Sequence, residues 1–583
     1  MSDLARLCEA HGIQPTRHAI DGTLHDVPRD TLEVLAGAFD IEATPPLADG
    51  GIPAALAARD PLACFVPDAL ADARVWGATC QLGSLRSSRN AGMGDFADLV
   101  ELCRIVGGAG GDFVGLNPLH ALFWADPGRS SPFSPSNRST LNPIYIALDW
   151  VDGAQPTAAE RAEMRRLREA DVVDLAAVHA VKDAVLRRAF PGQKTSDAET
   201  DDPVVLQHAR FEALSGRMVM EGHGAGWMSW PEEARHDEPP ADEVAYHVWL
   251  QGEAARQLDR VNKEAHEAGL RIGLYLDLAV GVAPDGSATW GDPDLTVPGI
   301  KIGAPPDPFS ADGQDWGLAP LSPTVLAERD GKPFADMMRA VMRHAGAVRV
   351  DHAMAMARLF LIPQDARAMD GAYVHYPLAA LLDALAAVSN DRRCIVIGED
   401  LGVVPPGFRE IMEARAMHAY KVFWFERGDR DFRSAADWSR EALACVGTHD
   451  TSSFAGWWTG HDNATREAIG WFTPEQAAHE ARMREKDRDA VRRAVGWNEG
   501  ADWHEEDVRL LSTVVHRRIA ASPCRLAAVQ LDDALGAFDQ ANMPGTTDQY
   551  PNWRRKLSVA LEELADDKGF RAHAAVMREE RPR

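Results

Sequence analysis

Three short stretches, far apart in the chain, run from apolar residues into a carboxylate. They are Val348-Arg349-Val350-Asp351-His352, Val396-Ile397-Gly398-Glu399-Asp400 and Val446-Gly447-Thr448-His449-Asp450. An acid after a strand often caps a helix, and each of the three alone carries that reading. Three carboxylates gathered in one place are costly to bury unless a site uses them. Glycosidic cleavage with retention uses them: one carboxylate attacks, and a second carboxyl about 5 Å away gives and takes a proton. Asp351 is the expected nucleophile. Arg349, two residues earlier, shares its strand face, and its charge favours the ionised form that a nucleophile needs. Glu399 is the expected proton donor, its pKa raised by neighbouring carboxylates and partial burial. Asp450 is expected to hold sugar hydroxyls and stabilise an oxocarbenium-like transition state. His352 and His449 suit hydrogen bonds to the same ring, or are internal histidines with satisfied nitrogens. Asp400 competes with Glu399 but better suits a cap or a supporting bond.

Carboxylates so far apart in sequence meet only if the fold brings strand ends together. Short apolar runs suited to buried parallel strands occur at Val75–Leu82, Phe113–Leu116, Ile272–Leu278, Ala347–Val350, Cys394–Ile397, Tyr420–Phe425, Leu443–Val446 and Leu526–Gln530. Helix-like segments such as Asp95–Val106, Val244–Ala268, Pro333–His344 and Leu378–Val388 lie between them. Eight strands alternating with helices predict an α/β fold of the (β/α)₈ barrel type, with every strand's C-terminal end on one face. Residues 1–70 read as a small N-terminal helical unit and linker, and 71–583 as the barrel. Long insertions at about 117–243, 279–332 and 451–524 are expected at its mouth.

The chain of 583 residues has 61 Lys plus Arg against 88 Asp plus Glu, a formal charge of −27. That balance argues against nucleic acid and acidic membranes as partners and favours a neutral ligand. No apolar run approaches a membrane span of about 18 residues, and the first residues do not read as a signal peptide. Seven cysteines without a CxxC pair read as buried free thiols in a reducing cytoplasm. The 20 histidines contain no HxH, HxxxH or HExxH spacing, so no metal site is expected.

Beyond the three acidic motifs, the sequence contains QLGSLRSSRNAGMGDF (81–96), GLNPLHAL (115–122), SPFSPSNRSTLNPIY (131–145), APPDPFSADGQDWG (304–317), GAYVHYP (371–377) and TTDQYPNWRRKL (546–557). In this order, over about residues 74–560, they resemble the 4-α-glucanotransferases, or amylomaltases, of the bacterial maltodextrin-using type. The resemblance implies a (β/α)₈ barrel with mouth insertions and no metal or organic cofactor. It implies an enzyme that cuts an α-1,4 bond, keeps the glycosyl group, and passes it to another sugar's 4-hydroxyl. Maltodextrins would be donor and acceptor, and glucose an acceptor. Asp351 matches the family's nucleophile, Glu399 its acid/base and Asp450 its third acid. Arg349, His352 and His449 match residues around the bound sugar, Trp316 an aromatic covering the glucan, and Asp307 an acid in the loop over the cleft. Asp277 matches a further site acid or is a cap, and Asn552 either lines the site or holds the barrel mouth. The family often has a tyrosine where this chain has Gly83, and an aromatic where it has Ala91. The alternatives are an α-glucan hydrolase with the same acids, and a non-catalytic glucan-binding protein, which would have no use for all three.

Overall fold

The structure, a computed structural model, describes residues 2–583 except 20–21, 44, 47–49, 193–199, 307–309, 311, 429–430 and 498–504. Eight parallel strands dominate it: β1 (Val75–Cys80), β2 (Phe113–Leu116), β3 (Gly273–Leu278), β4 (Ala347–Val350), β5 (Ile395–Gly398), β6 (Ala419–Val422), β7 (Ala442–Cys445) and β8 (Leu526–Gln530). They pair in the order 5-4-3-2-1-8-7-6. The gap between β5 and β6 is closed by a parallel bridge from Ile397 to His418. There Gly398 N–H donates to His418 C=O at 2.8 Å, and His418 N–H to Val396 C=O at 2.9 Å. The sheet is therefore a closed (β/α)₈ barrel with no free edge.

The barrel strands are buried almost throughout, as apolar runs packed on both faces require. Large and small residues alternate inside. A Cβ on Gly115 would lie 2.5 Å from the ring of Tyr275, so glycine there makes room for the edge-to-face pair of Tyr275 and Phe113. The helix Phe96–Gly108 after β1 starts at Asp95, whose carboxylate accepts from the Ala97 and Asp98 N–H groups. Helices Ala241–Glu267, Lys332–Met342, Leu378–Arg392 and Phe408–Ala414 follow β2 to β5. Among the described residues, β6 and β7 are joined only through short 3₁₀ turns.

The expected runs match the eight strands to within two residues at every end but one. The sixth ends early, because Phe423–Phe425 turns away as a 3₁₀ segment. One feature of the mouth was not foreseen. Strands Ile300–Ala304 and Gln314–Leu318 from the connection after β3 join Arg358–Pro363 and Ala372–His375 from the connection after β4 in one four-stranded antiparallel sheet. The N-terminal segment extends this sheet: Ile13 bridges Val374, and Gln14 N–H donates to Tyr373 C=O. Leu32 and Leu35 of the helix Arg29–Ala38 are buried, as their spacing predicts. All seven cysteines are buried and free. Among the described residues no helix is long and apolar enough to cross a membrane.

Candidate active site

The register of β3 and β4 sets Arg349 beside Asp277. Arg349 Nη1 donates to both oxygens of Asp277 at 2.9 Å. Its Nη2 lies 2.8 Å from Asp351 Oδ1 and 4.0 Å from Glu399 Oε2. One guanidinium thus joins acids from the ends of β3, β4 and β5, and the two-residue offset places Asp351 on the Arg349 side as expected. Tyr420 of β6 presents its ring 5.5 Å from the guanidinium carbon, a cation–π contact. Burial works against the charge of Arg349, but Asp277, Asp351 and Glu399 outweigh it and hold the guanidinium well above its ordinary pKa.

The turn after β4 is strained for a purpose visible in the geometry. His352 adopts left-handed angles, φ 47° and ψ 59°, a conformation that is uncommon outside glycine and costs about 1–3 kcal/mol. Its N–H then donates to Glu399 Oε2 at 3.0 Å. Leu401 N–H donates to the other oxygen at 2.6 Å. The Glu399 side chain is 8% exposed. Burial pushes its carboxyl up to about 7. Arg349 and the two N–H groups pull it down, and the charge of Asp351 pushes it up. Asp400, the competitor for the acid's role, is spent elsewhere. It accepts from Tyr420 N–H at 2.9 Å and from Arg409 Nε at 2.6 Å, which pins β5 to β6.

Asp450 is the most open of the three acids, at 46% exposure against 18% for Asp351. Its Oδ1 accepts from Asn542 Nδ2 at 2.6 Å, and its Oδ2 lies 3.2 Å from His449 Nε2. Withdrawal from water would raise its carboxyl, but His449 and the Asn542 amide overcome this and hold it at about 2. His449 is raised in turn: burial opposes its charge, and Asp450 more than compensates. The positive charges of His449 and Arg349 reach across to Asp277 and Asp450 respectively, so this pair belongs to the same field as the guanidinium cluster. His352 is the contrasting histidine. Burial lowers it to about 4, so its ring is neutral.

Trp316 stands on the mouth strand Gln314–Leu318, its ring 5.4 Å from His352 at 79°, which sets an aromatic surface beside the acids. Asp307 lies outside the described residues. Asn552 bonds within its own loop. Its carbonyl accepts from Met543 N–H at 2.8 Å, and its amide donates to Thr546 Oγ1 at 2.9 Å and Thr546 C=O at 3.1 Å. Those bonds clasp the 543–552 loop. Its neighbour Trp553 was missed by sequence reasoning. It sits at φ 64° and packs with His449 at 5.3 Å and Phe133 at 5.3 Å, and Phe133 meets His449 at 4.7 Å. Asn542 and Tyr420 were also missed. Phe133 and Trp553 do lie inside recognisable motifs, as aromatics among Pro, Ser and Asn, which is the only signal they offered.

A family model described as 4-alpha-glucanotransferase matches residues 80–562. The chain belongs to the 4-alpha-glucanotransferase family. The 4-alpha-glucanotransferase of Haemophilus influenzae is 33% identical over 551 residues, 86% of this chain and 78% of that protein. The one of Mycobacterium tuberculosis is 34% identical over 550 residues, 86% of this chain and 75% of that protein. The crystal structure of amylomaltase from Corynebacterium glutamicum matches with a TM-score of 0.85 at 26% identity, over 98% of this chain and 99% of that one. An amylomaltase from Streptococcus agalactiae shares the fold at 19% identity and a TM-score of 0.69, over 87% of this chain and 98% of that one. As a member of the 4-alpha-glucanotransferase family, the protein is a glycosyl-transferring enzyme.

Proposed function

We propose that this enzyme moves α-1,4-glucan segments from one maltodextrin to the 4-hydroxyl of another, with glucose as the smallest acceptor, by double displacement with retention. Asp351 attacks the anomeric carbon, and Glu399 protonates the departing 4-oxygen. The glycosyl group then rests on Asp351 until Glu399 takes a proton from the incoming hydroxyl, which displaces the carboxylate and restores both groups. The observation carrying this reading is that Asp351 and Glu399 approach the same Arg349 Nη2 unequally, at 2.8 and 4.0 Å. The nearer acid is ion-paired, while the farther one titrates near 7, so one is ready as a nucleophile and the other as a proton donor.

The remaining residues take supporting roles in the same reading. Asp277 fixes Arg349, Asp450 and His449 grip hydroxyls of the reacting ring, and neutral His352 donates to the same sugar. Trp316 covers the glucan, and Asp307 is assigned a substrate-binding role by the family motif that carries it. Seven buried free thiols support a reducing, cytoplasmic setting. Incubation with pure maltotriose tests the function. Glucose together with longer and shorter maltodextrins is the expected result. Reducing ends that rise without longer products would mean hydrolysis, and binding without turnover would mean that the acids are not catalytic.

A further inference from the structure

A second concave site lies outside the barrel, behind the loop that follows β1. The helix Ala158–Glu169 carries Arg161, Arg165 and Arg168, spaced four and then three residues apart, so they share one face. That face, with Ala91, Leu148 and Met164, lines a cavity of about 270 Å³. Ala91 is buried, and its single methyl leaves space where a larger side chain would fill the wall.

The charges around this cavity are unbalanced. Arg89 also reaches it, but is spent on carboxylates: it bonds Asp95 and Asp98 at 2.7 Å and Asp149 at 2.7 Å. These bonds use both acids that line the cavity, Asp95 and Asp149. On the helix, Arg166 pairs with Glu163. Arg161 and Arg168 reach only backbone carbonyls, of Pro156 and Asn90. Among the described residues, no ion pair is formed by Arg161, Arg165 or Arg168, in a chain with 88 acids to 61 bases. Burial and the neighbouring charge of Arg165 both depress the pKa of Arg168, so the cluster lacks a counter-charge. Planar guanidinium groups with unspent donors match the oxygens of a phosphate, often two at a time. The apolar wall leaves room for a small body attached to it, at the lower edge of the size of small-molecule sites.

We propose that this cavity is a binding site for a phosphate group, free or carried by a molecule the size of a hexose, and separate from the glucan cleft. Arg161, Arg165 and Arg168 bind the phosphate, and Leu148, Met164 and Ala91 face what it is attached to. Arg168 also holds Asn90 C=O at 2.8 Å, so the occupant would brace the loop after β1.

Isothermal titration of the intact enzyme carrying Asp351→Asn, so that saturating maltotriose fills the cleft without being turned over, tests this with inorganic phosphate, glucose 1-phosphate and glucose as probes. At least one phosphate-bearing probe should bind with a sub-millimolar Kd that weakens as salt rises, and glucose should not bind. The double variant Arg161→Ala/Arg165→Ala changes two exposed side chains and should weaken that binding at least tenfold, since it removes two charge-assisted donors. With Asp351 intact, its transfer activity without phosphate should stay unchanged. Tighter binding of glucose 1-phosphate than of phosphate would mark the sugar-borne form as the ligand, and the reverse would mark the free anion. No heat from either at about 10 mM, or the same Kd in the double variant, overturns the proposal.

Discussion

Glu399→Gln separates proton donation from every other contribution of the site. The side chain keeps its size, and its carbonyl can still accept one of the two N–H groups, from His352 or Leu401, that hold the carboxyl. What disappears is a proton that titrates near 7. General acid catalysis typically contributes about 10²–10⁴-fold, or about 3–5 kcal/mol of the barrier. Maltotriose, whose leaving group is a sugar alkoxide, should lose that full amount in kcat/KM. An α-maltosyl fluoride donor leaves without protonation and should lose less than about tenfold. The pH profile supplies the second half of the test. Donation requires the protonated form, so wild-type kcat/KM on maltotriose should fall above the pKa of the free enzyme, by about tenfold from pH 6 to pH 8. That limb should be absent when the variant acts on the fluoride. Product chromatography serves the first donor and a fluoride electrode the second. Equal losses on both donors, or a limb near 7 that survives in the variant, would refute the assignment.

Asp351→Asn should lower turnover by at least about 10³-fold while leaving maltotriose binding and the melting temperature near wild type; near-normal activity removes Asp351 from its role. Trp316→Ala should raise KM for maltodextrins by roughly tenfold with a smaller change in kcat, as expected for a lost stacking surface worth about 1 kcal/mol or more; steady-state kinetics read the split. Asn552→Ala should cost about 1–3 kcal/mol of stability, because Met543 N–H loses its buried acceptor. A fall in kcat/KM at unchanged melting temperature would instead put Asn552 in contact with sugar. Dialysis against a chelator should leave activity intact, and inactivation reversed by added metal would contradict the metal-free mechanism.

The barrel was legible because parallel strands covered on both faces must be apolar along their whole length, and runs such as Ala347–Val350 and Ile395–Gly398 show that directly. The three acids were legible for the same reason. Each follows such a run by one to five residues, and a closed parallel barrel has a single C-terminal face. What escaped depends on pairing between distant segments. Gln314–Leu318 is half-exposed with a charged alternate residue, and nothing in it says that its sheet includes Arg358–Pro363 from the next connection. Asp277 could have been a cap until the β3–β4 register set it against Arg349. Asn552 and Trp553 are adjacent, yet one clasps the loop and the other packs on His449. The left-handed backbone at Trp553, which separates those fates, is a conformation that no bulky residue advertises.

In the proposed mechanism, the division of labour between Asp351 and Glu399 reduces to where one cation is spent. Both acids sit at the barrel mouth, both could ionise, and the mechanism needs them in opposite states. Arg349 Nη2 stands 2.8 Å from one and 4.0 Å from the other. With an effective dielectric of about 20, that difference in distance favours the charge on Asp351 by about 2 kcal/mol. Asp277 makes this asymmetry stable by taking both oxygens' worth of Nη1, which stops the guanidinium from swinging toward Glu399. Glu399 is left with two backbone N–H groups and the repulsion of an ionised neighbour. Once Asp351 is glycosylated that neighbour's charge is gone. The pull of Arg349 on Glu399 is then less opposed, and the carboxyl that has just given up its proton is better held as the base the second step needs. The same argument makes Asp277→Asn a more informative substitution than its distance from the sugar suggests. Freed from Asp277, Arg349 should lower the pKa of Glu399 and shift the basic limb of kcat/KM to lower pH. A limb that stays near 7 in that variant would mean the cation does not set the proton donor.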